Sequence, residues 1–96
     1  MADNIIYVGD VGTKIVFDVS TLVDDVVSAS IYCKKPNGTS YIWTAEKELG
    51  TNNIYYITQV GDIDVAGIYK LQPFIDFADW RGFGDIVQLI VKETLV

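Results

Sequence analysis

The sequence predicts an all-β domain, an antiparallel sandwich of seven to eight short strands, and three observations carry that expectation. β-Branched Val, Ile and Thr recur throughout and Tyr, Phe and Trp make up 12% of the residues, a mixture that favours strands over helices. Apolar residues alternate with polar ones instead of recurring at helical spacing. Clusters of Gly, Pro, Asn and Asp interrupt the chain at short intervals, as in sandwiches and barrels. With 96 residues, 50% of them hydrophobic and 21% charged, the chain is expected to fold as a single domain over 1–96 around one core.

The elements follow in order. Residues 4–8 form a short apolar run closed by Gly9-Asp10-Val11-Gly12. Residues 13–19 alternate, with Ile15, Phe17 and Val19 on one side and Lys14 and Asp18 opposed. The polar stretch 20–25 reverses the chain. In residues 26–34 the inward face is expected to carry Val27, Ala29, Ile31 and Cys33, and the outward face Ser28, Ser30, Tyr32 and Lys34. Pro36-Asn37-Gly38 is a strong turn signal, since Pro presets one corner and Asn-Gly accepts positive φ; it predicts a hairpin into 41–45. A polar loop over 46–53 precedes a strand at 54–60. The acidic turn 61–67 leads to a strand at 68–77, residues 78–84 turn the chain, and 85–95 closes it with Val87, Leu89 and Val91 inward. No repeat, low-complexity tract or interdomain linker interrupts this plan.

Thirteen acidic residues against seven basic ones give a net charge of −6, which repels phosphate backbones and anionic lipid; neither nucleic acid nor membrane is an expected partner. No apolar run reaches the length of a membrane span. Met1-Ala2-Asp3-Asn4 lacks the basic region and apolar stretch of a secretory signal, so synthesis and folding in a cytoplasm are expected. Cys33 is the only cysteine, so no internal disulfide forms and packing alone must hold the fold. One Cys and no His leave no thiolate or imidazole zinc set, and no cofactor is expected.

The segment Asp64-Val65-Ala66-Gly67-Ile68-Tyr69-Lys70-Leu71 has the layout of a tyrosine corner. In that arrangement a Tyr follows a Gly-containing turn, buries its ring and bonds its hydroxyl back to the turn backbone. It resembles the Asp-x-Gly-x-Tyr-x-Cys signature of immunoglobulin domains, with one extra residue between Asp64 and Gly67 and with Leu71 at the cysteine position. The sandwich is therefore expected to be immunoglobulin-like. Trp43 is expected in the core against Ile31 and Leu71, with sugar stacking by Trp43, Tyr41 or Trp80 as the functional alternative. Trp80, in a turn beside Arg81 and Phe83, reads equally as a partner contact or as local packing.

Asp62 and Asp64 have the look of a carboxylate pair or calcium ligands, but the Asp-x-Asp-x-x-Gly spacing lacks the other oxygens of a calcium loop. Turn capping accounts for them, and for Asp24-Asp25. The serines have no His as a base, Cys33 falls on an inward face, and Gly9-Asp10-Val11-Gly12 lacks the Lys and helix of a phosphate loop. Enzymatic activity is not expected.

Nearly end to end, the chain resembles small immunoglobulin-like proteins and domains of bacteriophages and prophages. The shared features are Tyr7-Val8-Gly9-Asp10-Val11-Gly12-Thr13, Lys34-Lys35-Pro36-Asn37-Gly38-Thr39, Trp43-Thr44-Ala45, the stretch from Gly61 to Gln72, and Trp80-Arg81-Gly82. It is also similar to the amino-terminal domain of phage upper-baseplate proteins, in which a strand precedes a Lys-Lys-Pro-Asp-Gly-Thr turn; Asn37 here replaces that Asp. The resemblance implies a non-enzymatic virion component in the tail, baseplate or fibre-attachment region, present in multiple copies or as a homo-oligomer among other virion proteins. Capsid decoration is a second position of that class, and a module for cell-surface glycans with Trp80, Tyr41 and Tyr55 stacking is the rival. Ile5 and Tyr7, on a β-prone segment with little edge protection, and Trp80, Arg81 and Phe83 are the candidate interface residues.

Overall fold

Turn chemistry sets the strand boundaries in the computed structural model, which describes residues 5–21 and 23–95. Pro36-Asn37-Gly38 behaves as its residues dictate. Gly38 takes φ +90°, its N–H donates to the Lys35 carbonyl at 2.9 Å, and the Asn37 side chain accepts from the Thr39 N–H at 3.1 Å. The turn joins β3 (Ser28–Lys34) to β4 (Ser40–Thr44) in an antiparallel hairpin.

The other strands are β1 (Ile5–Tyr7), β2 (Lys14–Asp18), β5 (Glu46–Glu48), β6 (Asn53–Ile57), β7 (Gly67–Asp76), β8 (Arg81–Phe83) and β9 (Val87–Lys92). They form two sheets. The larger runs β1-β9-β7-β3-β4 with β8 paired to β7, and the smaller runs β2-β6-β5. All regular structure among the described residues is β, and no helix there is long and apolar enough to cross a membrane.

The core lies between the sheets because each strand alternates. Ala29, Ile31 and Cys33 of β3, Trp43 of β4, Tyr69, Leu71 and Ile75 of β7, and Leu89 and Val91 of β9 meet Phe17 of β2 and Ile54 of β6. Trp43 lies opposite Ile31 in the β3–β4 register, and its ring face rests on Tyr56 of the smaller sheet, centroids 4.6 Å apart and nearly parallel. Trp43 thus shares the core with Ile31 and Leu71, as expected, and the Tyr56 stack, which was not foreseen, bridges the sheets without a disulfide. Such a stack adds about 0.5–1.5 kcal/mol beyond burial, against about 2–4 for a disulfide. The fold therefore rests on apolar burial, about 1.5–3 kcal/mol for each large aliphatic or aromatic side chain enclosed. Cys33 is a free thiol within this core.

Three details depart from the sequence expectations. Nine strands form among the described residues, because 46–48 and 81–83, expected as loop and turn, pair with β6 and β7. The sheets are not wholly antiparallel: β1 runs parallel to β9, Ile5 opposite Ile90 and Tyr7 opposite Lys92. After β1 the chain crosses to the other sheet at β2, so no hairpin obliges the first strand to run against its neighbour. Val27 is exposed, not inward. A turn closed by the Val26 N–H on the Val23 carbonyl ends just before β3, and this shifts burial to Val26. Of the first expected strand, Asn4 lies outside the described residues.

Candidate docking surface

Two features gather the chemistry-bearing residues: the corner at the start of β7, and the outer face of the larger sheet. At the corner Tyr69 is fully buried. Its hydroxyl donates to the Val65 carbonyl at 2.8 Å and accepts from the Val65 N–H at 3.2 Å. Gly67 makes the approach possible. Its φ is +133°, and a Cβ there would lie 2.7 Å from the Pro36 ring, so the corner packs directly on the Pro-Asn-Gly turn.

Lys35, which sequence reasoning passed over, locks the two turns together. Its side chain is almost wholly enclosed, yet its ammonium reaches the Asp64 carboxylate at 2.7 Å and the Tyr41 ring at 4.6 Å. Burial opposes the charge on Lys35, but the bond and attraction from Asp64 prevail and raise its pKa. The same bond to Lys35 lowers the pKa of Asp64. Asp62 accepts from the Tyr56 hydroxyl and the Gln59 N–H, and the Asp24 side chain accepts from the Gly50 N–H. These carboxylates thus serve turns. Among the described residues no group of three or more His, Cys, Asp or Glu is placed to hold a metal ion. Burial pushes the Cys33 thiol up to about 11, with Lys35 opposing that shift.

The outer face carries the unpartnered apolar surface. By register Tyr32 of β3 lies between Ile42 of β4 and Gln72 of β7, and Phe74 of β7 faces Phe83 of β8. Tyr32, Phe74 and Phe83 form one aromatic cluster, with centroid separations of 4.7–6.0 Å. Along the same face Ile5, Ile90 and Ile68 are register neighbours, and Tyr7 stands beside Lys92. Most of these side chains are exposed, as are Ile42, at 62%, and Ile86, at 60%.

The residues expected at an interface divide. Ile5, Tyr7, Arg81 and Phe83 share this face, and Arg81 sits 3.8 Å from Asp76. Trp80 does not join them. Its six-membered ring occupies the space a Cβ on Gly82 would need, and Gly82 lies opposite inward-facing Ile75. The Trp80 ring therefore turns to the other side of β8, towards Phe77, while remaining 55% exposed. Of the four aromatics weighed for sugar stacking, Trp43 is buried in the core, and the other three are dispersed. Tyr55 lies on the smaller sheet under the Lys14 ammonium, Tyr41 on β4 under Lys35, and Trp80 beside β8.

Sequence reasoning missed Ile42, Phe74, Ile68, Ile90 and Ile86. Outward apolar residues on strands already assigned, such as Ile68 and Phe74 on alternate positions of β7, were the available signal. Fold and surface together define the class: an all-β sandwich whose larger sheet presents an apolar outer face. No family model, curated protein or solved structure matches the chain.

Proposed function

We propose that this chain is a non-enzymatic, immunoglobulin-like structural module of a bacteriophage particle, docking through the outer face of its larger sheet in the tail, baseplate or fibre-attachment region. The observation that carries the docking reading is the contiguous Tyr32–Phe74–Phe83 cluster with exposed Ile42 and Ile86 beside it. Side chains of this kind cost solubility when left bare, and continuous apolar patches on small domains mark partner surfaces. The immunoglobulin-like assignment draws support from the sheet orders β1-β9-β7-β3-β4 and β2-β6-β5 and from the Tyr69–Val65 corner. The assignment to a phage particle rests on the sequence resemblance.

Glycan binding is less favoured because Trp80, Tyr41 and Tyr55 stand on separate surfaces. Quantitative mass spectrometry of purified particles from a phage encoding this chain tests the proposal. The chain is expected at a fixed copy number that survives stringent washing. Its absence from particles, or saturable glycan binding by the free domain, overturns the reading.

A further inference from the structure

The charges of this protein are sorted by surface. Of its seven basic residues four, Lys34, Lys70, Arg81 and Lys92, lie on strands of the larger sheet, whereas of its thirteen acidic residues only Asp76 does. An otherwise acidic protein thus has one basic face, and it is the apolar one.

Within that face Lys34 and Lys70 lie directly opposite each other across β3 and β7. Like charges in that position destabilise a sheet. Among the described residues neither has a carboxylate within ion-pair reach, although Lys14, Lys35 and Arg81 each have one. The two lysines border an open groove of about 700 Å³, lined also by Tyr32, Ile42, Gln72 and Ile86. Gln72 uses its amide N–H on the Gly84 carbonyl, so most of the remaining lining is hydrocarbon and aromatic.

We propose that this groove binds an acidic polypeptide segment of another protein, its carboxylates on Lys34 and Lys70 and an apolar side chain between Tyr32, Ile42 and Ile86. This rests on the docking role above and names the partner's chemistry. A second copy packed face to face would bring another set of lysines into the same apolar groove, and the repulsion disfavours it. A long polyanion such as nucleic acid would meet the net charge of −6 beyond the groove. A carboxylate-bearing segment satisfies the lysines locally and gives the apolar residues a partner.

The test uses the full chain as bait for a random decapeptide display library, with each selected peptide synthesised and its affinity measured. Peptides with Asp or Glu beside an aromatic or aliphatic residue are expected. They should shift the amide resonances of 32–34, 40–42 and 70–72 and lose at least about tenfold in affinity against Lys34→Glu/Lys70→Glu. Both lysines are exposed, so a melt of that variant serves as the folding control. Ile42→Ser/Ile86→Ser should weaken the same peptides without altering their salt dependence. Selection of no peptide, of peptides without carboxylates, or of peptides indifferent to the charge reversal overturns the proposal. So does self-association through the groove, or preferential binding of an oligonucleotide or of phosphatidylserine vesicles. The virion role fails on a different result, absence from purified particles.

Discussion

Tyr69 couples the sequence to the fold more tightly than any other single side chain. Both polar groups of Val65 end on its hydroxyl, and its ring fills the centre of the core. Tyr69→Phe keeps the ring and removes the bonds, so a loss of around 1 kcal/mol in urea melts is expected. Tyr69→Ala should cost about 3–5 kcal/mol through the cavity it leaves. Equal stability of Tyr69→Ala and the parent would refute the corner. Cys33 makes the complementary point. An enclosed thiol with its pKa pushed up to about 11 should react with a thiol reagent at pH 8 only as fast as the protein opens. Labelling within the mixing time, with the native signal intact, would place Cys33 at the surface.

At the scale of elements, the Pro-Asn-Gly turn and the acidic turn before β7 act as one clamp through Lys35 and Asp64. Lys35 is enclosed and Asp64 is half exposed, so the two deletions are unequal. Asp64→Ala leaves the buried ammonium only the Gly61 carbonyl at 3.4 Å and the Tyr41 ring, and should cost about 1–3 kcal/mol, whereas Lys35→Met leaves a carboxylate that water can solvate and should cost less. Because the pKa of Asp64 is lowered on folding, its contribution is present above its ordinary value near 3.8 and fades as pH falls through the lower, folded value. Because that of Lys35 is raised, its contribution holds below 10.5 and fades as pH rises through the higher, folded value. Stability measured against pH should fall on both limbs in the parent and less steeply in Lys35→Met; identical profiles would show that the pair contributes nothing.

The elements also show what was legible. The β3–β4 hairpin could be read from three turn residues with one conformational outcome, inward Val87, Leu89 and Val91 of β9 from their every-second spacing, and inward Tyr69 and Leu71 of β7 from the corner layout. β5 and β8 could not, because Glu46–Glu48 and Arg81–Phe83 are too short to show a period, and only a neighbouring strand makes them strands. The parallel course of β1 and the burial of Val26 in place of Val27 likewise depend on where turns end in space. Of the docking face, Tyr32 and Lys34 were assigned outward from sequence. Their meeting with Phe74, Phe83, Ile42 and Lys70 is a product of strand order, which no local pattern encodes.

For the whole molecule, the larger sheet does two jobs with its two sides. Its inner side closes the core on the smaller sheet, and its outer side presents aromatic and aliphatic groups with lysines beside them. Hydroxyl-radical footprinting of the free domain and of the assembled particle, read residue by residue, tests the docking claim most directly. Tyr32, Ile42, Phe83 and Ile86 are expected to be modified in the free domain and protected in the particle. Val16, Tyr55 and Ile57, on the outer face of the smaller sheet, should react alike in both. Protection of the smaller sheet, with Tyr32 and Phe83 still reactive in the particle, would contradict it.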